Sequence, residues 1–80
     1  MSAHAQQLRE KMLAFIRRQA QENGVIIVNT HYADGNWELR VYPDGWLQLG
    51  GYAGALYPHG TTLEELKFED LGRLMDAALE

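Results

Sequence analysis

The sequence predicts a two-layer α+β domain in which an N-terminal and a C-terminal helix cover one face of an antiparallel sheet, in the order α-β-β-β-α. Three observations predict this fold class. Apolar residues recur with helical spacing before Gly24, apolar and polar residues alternate on both sides of Pro43-Asp44-Gly45, and a capped amphipathic segment ends the chain. Three strands are expected, with a fourth at residues 52–57 as an open alternative.

Length and composition predict a single domain spanning residues 1–80. A chain of 80 residues that is 46% hydrophobic and 22% charged can build one core and does not have the composition of a disordered protein. It contains no cysteine, which excludes disulfides and thiolate zinc sites and is typical of a cytoplasmic protein. The apolar runs are far shorter than the roughly 20 residues of a membrane helix, so no membrane partner is expected.

The first helix is predicted to begin at Ser2, a candidate N-cap, and to end at Asn23-Gly24, where glycine can adopt the left-handed conformation. Helical spacing predicts that one apolar stripe faces the sheet. Its residues are Leu8, Met12, Phe15, Ile16 and Gln19/Ala20. The opposite, polar face is expected to carry Arg9, Glu10, Arg17, Arg18, Gln21 and Glu22.

The first strand is predicted at Val25–Thr30, where β-branched residues make both faces apolar. Asp34-Gly35 predicts a turn after it. From residue 37 the pattern alternates, as in a half-buried antiparallel strand. Trp37, Leu39 and Val41 point to one side of this strand, and Glu38, Arg40 and Tyr42 point to the other.

Pro43-Asp44-Gly45 predicts a three-residue hairpin loop, with proline at the first central position of a type I turn and glycine at the left-handed position. This loop places Tyr42 opposite Trp46 and then pairs Val41 with Leu47, Arg40 with Gln48, and Leu39 with Leu49. Both strands therefore put their aliphatic side chains on one side, which is the expected core face. The other face displays Glu38, Arg40, Tyr42, Trp46 and Gln48.

The C-terminal third is predicted to bend and then return to helix. Glycines at 50, 51 and 54 favour a bend or a loop. Thr61 or Thr62 is expected to begin a helical turn at 62–66, because Glu64 and Glu65 follow at the spacing of a capping box. The main helix follows from about Phe68. Its apolar side, with the preceding turn, comprises Leu63, Leu66, Leu71, Leu74, Met75 and Ala78. Gly72 is either a weak point of this helix or a site of close backbone approach.

Residues with catalytic or metal-binding chemistry are sparse. His4, His31 and His59 have no ligand-like spacing to one another, so we expect neither a metal nor a cofactor. The chain has one serine and no cysteine as nucleophiles, and it is expected not to be an enzyme. An enzymatic alternative would require Tyr52, His59 and Asp44 to converge near the glycine-rich loop.

Charge is uneven along the chain and predicts the kind of partner. Residues 1–40 carry five Lys/Arg against four Asp/Glu, whereas residues 41–80 carry two against seven. Because such an acidic half repels phosphate backbones, direct nucleic-acid binding is disfavoured and a protein partner with a basic surface is expected. The candidate acidic contacts are Glu64, Glu65, Glu69, Asp70 and Asp76. The sheet face left uncovered by the helices is the second candidate surface, either for a partner or for a homodimer of structural or assembly function.

Two resemblances suggest an origin in phages or mobile elements. Residues 37–51 have the pattern W-x-x-R-V-Y-P-D-G-W-x-Q-x-G-G, which resembles a Y-x-D-G-W-x-E-Q-G-G hairpin segment of bacteriophage tail-fibre proteins. Here the glutamate before the glutamine is missing and Leu49 separates Gln48 from the glycines. In size, acidity and lack of catalytic groups the chain also resembles anti-CRISPR proteins. That resemblance implies an inhibitor that covers a basic, nucleic-acid-binding protein surface in a bacterial host cell.

Overall fold

A computed structural model describes residues 2–32 and 35–80, and it confirms the α+β class and the predicted order of elements. The elements are α1 (Ala3–Asn23), β1 (Ile26–Tyr32), β2 (Gly35–Val41), β3 (Leu47–Gly51), the short helix α2 (Ala53–Leu56), a 3-10 turn (Leu63–Glu65) and α3 (Phe68–Leu79). The strands form one antiparallel sheet in the order β1-β2-β3. The predicted turn at Asp34-Gly35 lies partly outside the described residues.

Helix α1 begins and ends where its caps predict. The Ser2 hydroxyl accepts a hydrogen bond from the Ala5 amide at 3.1 Å, and Gly24 has φ +96°. The predicted stripe is wrong in its phase, because Leu8 is half-exposed whereas Leu13 is buried together with Ile16 and Ala20. At about 100° per residue around the helix axis, Leu8 lies roughly 110° from the centre of the arc that these three residues define.

The β2–β3 hairpin has the predicted register. Val41 pairs with Leu47, Arg40 with Gln48, and Leu39 with Leu49. The loop closes through a hydrogen bond of 2.8 Å from the Gly45 amide to the Tyr42 carbonyl, and Gly45 has φ +88° as the left-handed position requires. Proline-led turn geometry and side-chain alternation therefore specify the same pairing.

The core lies between one sheet face and both long helices. The predicted core-face residues Trp37, Leu39, Val41 and Leu47 are buried, and Leu49 packs against the same cluster while partly exposed. In β1, where no core face was predicted, Ile26 and Val28 are buried. The buried set is Leu13, Ile16, Ala20, Ile26, Val28, Trp37, Leu39, Val41, Leu47, Ala53, Tyr57, Leu63, Leu66, Leu71 and Leu74. Because these residues form one cluster, α1 and α3 cover the same face and leave the other open.

The alternative of a fourth strand at residues 52–57 is wrong. The Tyr52 amide donates the last hydrogen bond between the β2 and β3 segments, to the Asn36 carbonyl at 3.0 Å. The chain then forms α2. Gly51 has φ +58°, a left-handed conformation that turns the chain off the sheet edge. Burial of Ala53 and Tyr57 in the core anchors the turned segment.

The C-terminal segment follows the prediction closely. Thr62 and Glu65 form the capping box of the 3-10 turn, with the Thr62 amide donating to the Glu65 carboxylate at 3.2 Å. Helix α3 then starts at Phe68 and buries Leu71 and Leu74. No backbone approaches Gly72 closely, since a Cβ built there meets no atom within 4 Å of the described chain. Gly72 is therefore a position of low helix propensity rather than a packing contact.

Candidate functional site

The sheet face that the helices leave uncovered, called the open face, carries every sheet residue predicted as a binding residue. It consists of Val25, Ile27, Asn29, Glu38, Arg40, Tyr42, Trp46 and Gln48. The register brings Ile27, Arg40 and Gln48 into one cross-strand row, and Asn29 and Glu38 into the next. Val25 and Trp46 lie just outside the strand ends.

The apolar part of the open face is held in place by local contacts. The Trp46 side chain is 59% exposed, and its ring centroid lies 5.3 Å from that of Tyr42 with the planes tilted by 32°. The Tyr42 hydroxyl donates to Gln48 at 2.7 Å, and the Trp46 amide donates to the Asp44 carboxylate at 2.9 Å. Ile27 and Val25, 43% and 41% exposed, add aliphatic surface at the other side of the face. An exposed tryptophan held against a tyrosine, on a face that also exposes aliphatic side chains, has the composition of a binding hot spot.

The charged part of the open face neutralises itself. Arg40 Nε contacts Glu38 Oε1 at 2.5 Å, and Asn29 donates to Glu38 Oε2 at 3.2 Å. The hydrogen bond and the negative charge of Glu38 raise the pKa of Arg40 above its ordinary value, so the guanidinium stays charged. With one paired cation and one paired anion, the open face has no net charge.

None of the acidic residues predicted as contacts in the C-terminal segment lies on the open face. Asp70 is wrong as a contact, because it is only 4% exposed and accepts hydrogen bonds from Tyr57 and Arg73. Glu64 forms an ion pair with Arg17, and Glu65 completes the capping box. Glu69 and Asp76 are exposed on α3 and form no ion pair within the described residues. These side chains belong to the helical layer, on the far side of the core from the open face.

A buried polar cluster beneath α3 was not predicted from the sequence. The Tyr57 hydroxyl donates to Asp70 and accepts from the Lys67 amide at 3.2 Å, while Arg73 donates to Asp70 at 2.6 Å. Burial, followed by the hydrogen bond to Asp70, raises the pKa of Tyr57 to about 12. The Arg73 guanidinium also lies 5.7 Å from the Trp37 ring centroid. This cluster joins the segment after α2 to α3 and is structural.

Arg9 was predicted on the polar face of α1, and in the structure its side chain binds the chain at the start of α3. Its guanidinium donates to the Leu66 carbonyl at 2.6 Å and lies 4.5 Å from the centroid of the Phe68 ring. The hydrogen bond joins residues that are 57 positions apart, so no local pattern in the sequence could indicate it. Arg9 and Arg17 thus fasten α1 to the segment around Glu64–Phe68.

A groove of about 620 Å³, called the edge groove, runs beside β3. One wall is the consecutive stretch of residues 45–49, and the other consists of Gly54, Tyr57 and residues 59–64. His59 lines it, but Tyr52 and Asp44 do not, so the predicted enzymatic trio is not assembled there. Within residues 2–32 and 35–80, no three His, Asp or Glu side chains are grouped as metal ligands.

Comparison with known proteins adds no relative. No protein-family model matches the sequence, and neither a curated protein nor a solved structure does so. In the part of the chain that the structure describes, none of the helices combines the length and the apolar character needed to cross a bilayer.

Proposed function

We propose that this chain is a small, non-enzymatic protein-binding module that docks on another protein through the open face. The observation that carries the proposal is Trp46, which is exposed yet fixed by Tyr42 and Asp44, on a face that also exposes the aliphatic Ile27 and Val25 at its β1 side. Aromatic anchors that are ordered before binding lose little conformational freedom when a partner covers them.

The partner is expected to contact the open face with an apolar, largely uncharged patch and to carry positive charge around it. Since the Glu38–Arg40 pair leaves the face neutral, docking there requires no unpaired charge from the partner. The net charge of −4 then attracts a basic protein over longer distances and accelerates encounter. An inhibitor that covers a nucleic-acid-binding surface in the bacterial cytoplasm is a role of this kind.

A homodimer formed through the open face alone is less well supported, because the face is small. Strands β1 and β2 have seven residues each and β3 has five, so with strands spaced by about 4.8 Å the face measures roughly 15 by 21 Å, or about 300 Å². Stable interfaces bury about 800 Å² on each partner. A larger partner can also contact the hairpin loop and the surface around the open face. A second copy stacked face to face buries only the open face itself.

Affinity capture with matched variants tests the proposal. The wild-type chain, Tyr42→Ala/Trp46→Ala and Glu69→Lys/Asp76→Lys are immobilised, exposed to a bacterial lysate, and the bound proteins are quantified by mass spectrometry. The affinity of the purified partner for each variant is then measured by calorimetry. We expect the double alanine variant to bind at least about 30-fold more weakly, as loss of a hot spot predicts, and the lysine variant to lose only a few-fold.

Two controls make the result decisive. Circular dichroism is expected to show that both variants remain folded, because the Tyr42–Trp46 pair contributes only about 0.2–1 kcal/mol to the hairpin. Raising salt from about 50 to about 500 mM should slow association while leaving most of the affinity. A partner that binds the double alanine variant as tightly as the wild type would refute docking through the open face, and loss in the lysine variant would assign the contact to α3.

A further inference from the structure

The outer edge of β3 presents unpaired main-chain groups. The bonds from the Tyr42 amide to the Trp46 carbonyl, at 2.9 Å, and from the Tyr52 amide to the Asn36 carbonyl, at 3.0 Å, fix which β3 residues bond to β2. In an antiparallel pair this bonding alternates, so residues 46, 48, 50 and 52 direct their amides and carbonyls toward β2. Leu47 and Leu49 therefore direct theirs away from the sheet.

These outward groups open into the edge groove. Within the described residues, no hydrogen bond joins the main chain of Leu47 or Leu49 to a partner on this side. The groove is lined by five consecutive residues, 45–49, whereas a pocket lying on a sheet face would contact alternate residues. It thus runs along the edge, at the position that a fourth strand would occupy if α2 had not turned away.

We propose that an extended segment of another protein adds to β3 in this groove as a fourth strand. The outward main-chain donors and acceptors of Leu47 and Leu49 are two residues apart, which is the spacing at which an extended backbone presents its own hydrogen-bonding groups. The far wall is made of small or uncharged residues, including Gly54, Gly60 and Thr61, and its one carboxylate, Glu64, is already paired with Arg17. The segment is therefore expected to carry uncharged side chains toward the wall.

The outer edge of β1 is a weaker candidate for the same role. A recess next to the β1 edge has a volume of only about 170 Å³. It lies at the start of β1, against the C-terminal end of α3. Strand addition uses the outward main-chain groups of Leu47 and Leu49, whereas the proposed function uses exposed side chains of the open face, so it goes beyond that function even though Trp46 and Gln48 border both surfaces. The two proposals can fail separately.

Two pairs of variants isolate the groove. Gly54 lines it, and a Cβ built there meets no atom within 4 Å, so Gly54→Phe should obstruct the groove without disturbing the fold, whereas Gly54→Ala leaves space. Leu49→Pro removes one outward amide, which an edge strand tolerates, and Leu49→Ala removes similar packing but keeps the amide. If Leu49→Pro does not fold, the Gly54 pair alone decides.

A random 12-residue peptide library displayed on phage is selected on the folded full chain. Enriched peptides are synthesised and titrated into the ¹⁵N-labelled protein, with amide hydrogen exchange as a second readout. We expect peptides that bind the wild type and both alanine variants equally, bind Gly54→Phe and Leu49→Pro at least about tenfold more weakly, and protect the Leu47 and Leu49 amides.

Three results would overturn the proposal. Selection on this chain could enrich no peptide beyond the enrichment seen on an unrelated protein of similar charge. Enriched peptides could bind Gly54→Phe as tightly as the wild type. Sedimentation could detect a dimer in which the Leu47 and Leu49 amides are already protected, which would make a second copy of the chain the occupant of the edge.

Discussion

Replacing Tyr57 by phenylalanine tests the buried polar cluster that fastens α3 to the rest of the core. The change removes one hydroxyl, which donates to buried Asp70 and accepts from the Lys67 amide at 3.2 Å. A hydrogen bond to a charged group contributes about 1.5–3 kcal/mol, and Asp70 is too buried for water to replace it freely. We therefore expect Tyr57→Phe to lower the free energy of unfolding by about 2–3 kcal/mol, which for a chain of this size lowers Tm by roughly 10–20 °C.

The same variant should change how stability depends on pH. Tyr57 has its pKa raised from 10.0 to about 12, so the folded state favours the protonated phenol. The stability that depends on this shift is fully present below pH 10 and is lost as the pH rises from 10 through about 12, because the unfolded chain ionises first. In Tyr57→Phe this loss is absent, so the stability difference between the two proteins should narrow across that interval.

Urea unfolding followed by tryptophan fluorescence measures both effects, since Trp37 is buried in the core. Tyr42→Phe is the matched control, because it also removes a hydroxyl hydrogen bond, of 2.7 Å to Gln48, but at the surface. The control should change the free energy of unfolding by less than about 1 kcal/mol. Equal effects of the two substitutions, or an unchanged pH dependence in Tyr57→Phe, would refute the assignment of Tyr57 and Asp70 as a buried stabilising pair.

Three further substitutions have clear expectations. Gly51→Ala should cost more than about 3 kcal/mol of unfolding free energy in a urea titration, because its Cβ would lie 1.9 Å from the Asn36 carbonyl at φ +58°. Gly72→Ala should raise the free energy of unfolding by about 0.5–1 kcal/mol in the same assay, since it adds helix propensity without a clash. Trp46→Ala should remove most of the iodide-quenchable fluorescence, because Trp46 is exposed and Trp37 is buried, and quenching that is unchanged would contradict the placement of the indole.

The elements that the sequence predicted correctly are those specified by interactions between residues close together in the chain. The hairpin has two independent signals, the turn residues Pro43-Asp44-Gly45 and the alternation of two strands, and each would be violated by a register shift. The ends of α1 and the start of the 3-10 turn depend on capping groups within three or four residues. The open face followed from the same alternation, since strand parity places Arg40, Tyr42 and Gln48 on one side.

The features that sequence did not predict depend on distant partners. Helix α1 has apolar residues on more than one side, so its phase is set by packing against α3, and Leu13 rather than Leu8 is buried. Asp70 looks like a surface carboxylate until Tyr57, 13 residues earlier, is brought beside it. The edge groove was not predicted because it lies beside β3, where a fourth strand at residues 52–57 had been left as an alternative and the chain instead forms α2.

The open face and the edge groove share β3, and this has a consequence for binding. Gln48 belongs to the open face and also lines the groove. Its side chain lies on the open face, and its strand, β3, forms the edge of the sheet. A segment added along β3 would continue the sheet by about 4.8 Å and widen the open face by roughly one third. The two sites are therefore expected to support each other, because a partner that supplies the extended segment also enlarges the surface against which its remaining residues pack.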